Sequence, residues 1–348
     1  RSAGTANHGS YYSIQEITSD EMCIAAKGGD WFDGGKFIAV HQHLTTPSNA
    51  LVGDTWTNMT IGLSRALIAE ERLKLEAKKG NAAAQDGVYE MVAMKAYINM
   101  MILDNWGLVF KKSATNEKSE ILRGQDAVSY LEKELLSVRD VIKSDKGAGR
   151  LNQFSVKALL ARLYLNAAVY RDPYGTPTFK KEDMDNVIKY TNEIVAGPYA
   201  LSPEYFDIFS DNNSTNRELI FAMDQRGVLQ TEHQRWQYWS ISGDQVPRPE
   251  FPNTRGTDAA AMTTDFYQTW VDAYGSVDPA VADARFSMKQ TMVPANLQNL
   301  TGITPANDTD HYYCVDAKSF QIDRGIIRGV IWGPRKDATG KIILCPDG

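Results

Sequence analysis

Cysteine is scarce in this chain, with 3 in 348 residues, at Cys23, Cys314 and Cys345. An odd number at wide spacing supports neither a metal ribbon nor a disulfide framework. Free thiols are expected, with a Cys314–Cys345 bridge as the alternative. Long apolar runs are also missing. No stretch approaches the roughly 18–20 residues of a membrane-crossing helix, so no transmembrane segment is expected. The start, RSAGTANHGSYYS, has neither a charged-then-apolar leader nor a nearby cysteine, and any targeting segment is expected to lie outside this sequence. There is no basic excess: 37 Lys and Arg against 43 Asp and Glu leave a net charge of −6, which argues against a nucleic-acid partner. Nucleophile-elbow, phosphate-loop, dinucleotide, HExxH and CxxC signatures are absent. No catalytic residue, cofactor or metal is therefore assigned.

What is present is a good supply of apolar residues, 43% of the chain, enough for one large core. Periodic stripes run through its first two thirds. A helix is expected from about Asp54 to Lys79, with Trp56, Met59, Leu63, Ala66 and Leu67 on one side and Gly80-Asn81 as its stop. The segment Asp86 to Asp104 reads as its antiparallel partner, ended by Trp106-Gly107. From Asp126 to Ile142 the residues Val128, Leu131, Leu135, Val138 and Ile142 recur at alternating spacings of three and four, the mark of an amphipathic helix. From Phe154 to Tyr170 the chain is apolar over most of a helical circumference, so this segment is expected at the centre of the stack. The next helix carries Met184, Val187, Ile188, Thr191, Ile194 and Val195 as its stripe, Asp183 as a candidate cap and Gly197-Pro198 as its stop. Five helices that pair in sequence imply a degenerate tetratricopeptide-like hairpin stack. Outside it, residues 1–12 and Ser19–Pro47 read as irregular, and 224–348 as a loop-rich region with short strands and one helix near Thr263–Tyr274. The fold class is thus mainly α, a helical-hairpin scaffold over 54–223 in a single body with a loop-rich α+β cap from 1–53 and 224–348.

Carboxylate pairs such as Asp20/Glu21, Asp183/Asp185 and Asp207/Asp211 fall on expected helix starts and turns, where solvated caps explain them. His41 and His43, two apart in VHQHL, would share one face of a strand, and zinc would need a third ligand that nothing nearby supplies. Two aromatic stretches stand out. RWQYWS places Trp236, Tyr238 and Trp239 just after the stack; in an extended segment Trp236 and Tyr238 share a face. Exposed rings there would stack on a pyranose, with Arg235, Gln237 and Asn253 taking its hydroxyls; alternatively, the rings seal loops onto helices. The second stretch, GGDWFDGGKFIAVHQH, has glycines that free the backbone around Trp31 and Phe32 to hold a large ring at a surface.

Five segments occur together in order: YYSIQEITSDE (Tyr11–Glu21), GGDWFDGG (Gly28–Gly35), AMKAYINMMILDNWGLVF (Ala93–Phe110), ALLARLYLNAAVY, and VAGPYAL with EYFDIF, DNN and ELIFAM. In that order they resemble the SusD/RagB family of outer-membrane nutrient-binding lipoproteins over about two thirds of the chain. The segment DPAVADAR, with Asp283 and Arg285, resembles the family's Asp-Pro-Arg segment more loosely. The resemblance implies a cell-surface binding protein, without enzymatic activity, that captures oligosaccharide and delivers it to a SusC-like TonB-dependent transporter. It also implies a lipid anchor on an N-terminal cysteine that this sequence does not contain, and a chain truncated at both ends. By position in the family, the ligand surface would draw on Trp31, His41 and His43 together with Arg235, Trp236, Tyr238, Trp239 and Asn253. Peptide capture is the alternative within the family; a glycoside hydrolase or a helical-repeat adaptor would be a different class.

Overall fold

The computed structural model describes residues 9–27, 29–203, 205–209, 213–222, 259–277, 282, 283 and 285, and the backbone of strands at 311–313, 330–336 and 342–347. The chain divides into two compact units, one of Gly53–His233 with Arg1–Thr5, the other of Ala6–Val52 with Gln234–Gly348.

The first unit is a stack of helices in sequence order. Helix α3 (Ala50–Ala77), whose first turn holds the unit boundary, is followed by α4 (Ala82–Trp106). Asn81 opens α4 by accepting the backbone N–H groups of Ala83 and Ala84, and Gly107, at φ 61°, closes it with an N–H bond to the Leu103 carbonyl. Both caps satisfy groups that a helix end leaves unpaired. Three contacts show that α3 and α4 run antiparallel. Gly87 lies so close to Leu73 that a Cβ there would sit 3.1 Å from its side chain. Lys95 pairs with Glu70 at 2.6 Å, and the Trp106 ring meets Trp56 edge-on at 5.0 Å. Position numbers rise along one helix as they fall along the other.

A hairpin of β2 (Val109–Lys111) and β3 (Glu120–Leu122) leads to α5 (Gly124–Val138), α6 (Gln153–Arg171) and α7 (Lys181–Val195). Val128, Leu131, Leu135 and Val138 are buried on α5 as their spacing requires, and Ile142 is buried too. The helix ends at Val138, however, short of the expected Ile142, and Ile142 packs on the core from the turn that follows. Helix α6 opens with a capping box between Asn152 and Ser155. It packs against α4, α5 and α7, burying Val156, Leu159, Leu160, Leu163 and Ala167. Its surface is not covered all round, since Leu165 and Val169 are 54% and 44% exposed. On α7 the inward face is Asp183, Val187, Tyr190 and Ile194, while Ile188 and Val195 are 58% and 77% exposed. The expected stripe was therefore rotated. Asp183 is no solvated cap either: it is buried in the first turn and takes a bidentate pair from Arg171 at 2.7 and 2.8 Å.

Buried charge also ties the loop before α6 to α4. Lys146 reaches Asp86 at 2.5 Å and Glu90 at 2.7 Å, and Arg150 adds a second cation on Glu90. Burial alone would raise the Asp86 pKa, yet donors from Lys146 and the Lys143 backbone outweigh it and hold the carboxyl below its ordinary value.

In the second unit, two short helices fall where irregular chain was expected: α1 (Tyr11–Glu16) and α2 (Lys36–His41). Each is under two turns long, too short to display a period. Between them β1 (Met22–Cys23) pairs antiparallel with β4 (Ala261–Met262). Ile17, Ile24, Phe37, Val40 and Leu51 form the small core. Thr263 caps α8 (Thr264–Tyr274), the helix expected there. Strands β5 (His311–Tyr313), β6 (Val330–Lys336) and β7 (Ile342–Asp347) form a sheet in which β6 runs parallel to β5 and antiparallel to β7. Among the described residues no helix is long and apolar enough to cross a membrane.

Leu163→Ala is expected to cost roughly 2–5 kcal/mol, read as a lower midpoint in urea unfolding; an unmoved midpoint would place Leu163 outside the core. A second test is pH. Because the folded-state pKa of Asp86 is lowered, the stability it contributes is present above the unfolded value of about 3.9 and is lost as pH falls through the folded one. Thermal melts from pH 7 downward should show a shallower acid limb for Asp86→Asn than for the parent chain.

Candidate functional site

The glycine-flanked aromatic loop is a tight reversal. Lys27 and Asp30 exchange backbone bonds of 2.9 and 3.1 Å. Trp31, Asp33, Gly34 and Gly35 then follow at φ 57°, 44°, 67° and 79°, and the Gly35 N–H returns to the Phe32 carbonyl at 2.6 Å. For Trp31 and Asp33 the left-handed region is sterically costly, so the surrounding packing must hold them there. The turn separates the two neighbouring rings. Trp31 is half-buried, its ring 5.6 Å from Phe37 at the edge of the small core, whereas Phe32 stands 57% exposed. The surface ring of this loop is thus Phe32, a residue that the site reading from sequence left out, because only the handedness of the turn decides which ring faces out.

The two histidines are not side by side on a strand. His41 is the last residue of α2, and its Nδ1 lies 3.1 Å from the Ile17 carbonyl oxygen. His43 follows the helix at φ 56° and is exposed. Helix wins here because Phe37 and Val40, three apart, are both buried against the same core. Among the described residues no three His, Cys, Asp or Glu side chains converge as a metal site.

After α8, Asp283 gathers a polar cluster. It accepts from the Tyr274 hydroxyl at 2.7 Å and pairs with Arg285 at 2.6 Å. The guanidinium lies 4.2 Å from the centre of the Trp270 ring, a cation–π stack. Arg285 beside Asp283 holds that carboxyl well below the usual range, with Tyr274 as a further donor. The loosely matched DPAVADAR segment therefore does place Asp283 and Arg285 together, at the end of a helix that presents Trp270.

Arg235, Trp236, Tyr238, Trp239 and Asn253 lie outside the described residues, as does Cys314; Cys345 is described only as backbone, paired with Gly333.

No family model matches the chain. Over 195 residues it is 26% identical to the starch-binding protein SusD of Bacteroides thetaiotaomicron, covering 53% of this chain and 34% of that protein. A SusD-like protein of Bacteroides ovatus is 22% identical over 97% of this chain and 63% of its own length. The chain therefore spans less than two thirds of either relative. Among solved structures, the surface glycan-binding protein A from Bacteroides thetaiotaomicron in complex with laminarihexaose superposes with a TM-score of 0.57 at 18% identity, over 77% of this chain and 56% of that one. The chain is thus similar in sequence to SusD and to a SusD-like protein, and shares its fold with a surface glycan-binding protein.

The split between the two rings of the reversal can be checked by chemical denaturation. Trp31→Ala should cost about 1–3 kcal/mol, below the ~3–5 of a fully buried ring, and Phe32→Ala less than about 0.5 kcal/mol. Equal losses would mean that both rings are core.

Proposed function

We propose that this SusD-like chain is a cell-surface oligosaccharide-binding protein that delivers glycan to a TonB-dependent outer-membrane transporter and does no chemistry on it. The observation that carries the reading is the sequence similarity to a starch-binding relative, joined to a fold shared with a protein solved around laminarihexaose. The helical stack is the scaffold in this reading, and the chain on either side of it supplies the ligand surface. From the described residues that surface takes Phe32 and the exposed His43, with Trp31 and His41 fixing the loop from beneath. From the segment read only in sequence it takes Trp236, Tyr238 and Trp239 as stacking rings, with Arg235 and Asn253 as hydrogen-bonding groups. The reading assigns no general acid: the fully buried carboxylates among the described residues, Glu70, Asp86, Glu90 and Asp183, are held by Lys or Arg, while burial raises the carboxyl pKa of the half-buried Glu16 and Glu134. A general acid needs a carboxyl free to keep or give up its proton near neutral pH. Anchoring in the outer membrane and handover to the transporter belong to the same proposal and follow the resemblance.

A glycan array on the purified chain, followed by calorimetry on its strongest hit, tests the reading. Binding in the micromolar to millimolar range is expected. The double variant Trp236→Ala/Tyr238→Ala should weaken it by about 1–3 kcal/mol with little change in melting temperature. Reducing-sugar release from the same glycans should stay at the buffer level. Peptide binding with an empty glycan array, or product that scales with protein, would overturn it.

A further inference from the structure

The helical unit contains a groove of about 390 Å³ that none of the preceding chemistry uses. Leu63, Leu67 and Ile68 of α3 and Phe110 of β2 give it apolar lining, and the hydroxyl-bearing Ser64, Ser119 and Tyr130 line it too, with the Thr60 hydroxyl turned back to the Trp56 carbonyl. Lys95 also lines it, from a position only 6% exposed. Its ammonium is balanced by Glu70 at 2.6 Å, and Glu70 is itself also paired with Lys74 at 2.7 Å. An ammonium has three N–H donors, so after this pair it still has donors to offer. A second lining lysine, Lys112, lies near the Glu71 carboxylate, so each cation of the groove has an acid beside it.

The walls are held in place. The Asn99 amide makes two bonds to the backbone of Phe110, at 2.9 and 3.1 Å, which fix the start of the hairpin on α4. At the far side Thr115 donates its backbone N–H and its hydroxyl to Glu71 on α3, at 2.7 and 2.9 Å. The hairpin is thus tied to both helices, and the cleft between them is preformed. Preformation lowers the ordering cost of binding.

An apolar base, an aromatic ring, several hydroxyls and a charge-compensated donor suit a ligand with one apolar face and many hydroxyls. The volume is at the small end for ligand sites and matches one or two sugar rings. We propose that this groove is a second saccharide site, specific for short ends or single rings and separate from the surface that takes the long glycan. The class of ligand rests on the glycan-binding reading above, but the place does not.

The test uses the full chain labelled at Ile and Leu methyls, titrated with glucose, galactose, xylose and N-acetylglucosamine in turn. At least one sugar should shift the Leu63, Leu67 and Ile68 methyls with saturation in the millimolar range, and leave those of Ile121 and Leu165 unmoved. Ser64→Trp, at an exposed position on α3, fills the groove and should weaken that response more than tenfold. Ser119→Trp, on the exposed hairpin, does so from the opposite wall if the first variant fails to fold. Silence of the groove methyls with all four sugars, or a response that both filled variants retain, overturns the proposal. The array of longer glycans, run on the same preparations, reports separately. Array binding that persists in the filled variants while the groove is silent sinks this site alone, and an empty array beside a responding groove sinks the long-glycan reading alone.

Discussion

One helix supplies a directional contact to nearly every neighbour in the stack. Along α4, Asp86 and Glu90 take the loop before α6, Lys95 takes α3, Asn99 takes the β2 backbone, and Asp104 takes Arg162 and Tyr170 of α6. The polar positions recur every four or five residues, so successive stretches of the helix address the loop before α6, then α3, the hairpin and α6 itself. Apolar packing would permit these helices to slide or rotate on one another at small cost, since burial is proportional to area and has no direction. A buried ion pair contributes little net stability, but breaking one leaves a charge stranded at a cost of about 3–5 kcal/mol. Register in this stack is therefore set by what misalignment would strand.

The same logic extends to the ends of the array. Arg171 and Asp183 lock α6 to α7 across the intervening loop, and the parallel rings of Tyr164 and Tyr190, 6.1 Å apart, add a flat contact between the same helices. Arg139 donates to the Tyr190 hydroxyl at 3.0 Å, which brings the end of α5 to that point as well. A scaffold so fixed can present loops and clefts whose shape does not depend on the ligand.

Much of this architecture was legible in the sequence, for reasons particular to each element. Val128, Leu131, Leu135 and Val138 reveal α5 because its neighbours cover one face only, and the near-continuous apolar circumference from Phe154 to Tyr170 marks α6 as a helix packed by several others. The helix near Thr263–Tyr274 was expected, and the Thr263 side chain caps it in the structure. What escaped was non-local. Asp183 read as a cap because its partner Arg171 lies twelve residues away, and α7 was rotated in the reading for the same reason: a buried ion pair pulled a polar position inward. Lys95 and Glu70 are 25 positions apart and on different helices, so nothing in their spacing announced them or the groove above them. The ring exchanged at Trp31 and Phe32 depended on a run of positive φ angles, which the glycines permit without specifying. The aromatic run at Trp236 to Trp239 remains a matter of sequence.

The pairing of Met22 with Met262 and of Cys23 with Ala261 has a consequence for how the chain is made. As residues leave the ribosome, Ile17, Phe37 and Val40 emerge early, but the strand that completes their unit is translated some 240 residues later. The helical stack, whose contacts lie between near neighbours in sequence, closes in the interval. Strand β1 must therefore wait for its partner, and non-local pairing is the slow part of folding. For nascent chains of this protein the period in which β1 lacks its partner is set by translation speed through the helical segment, and it ends with the arrival of β4.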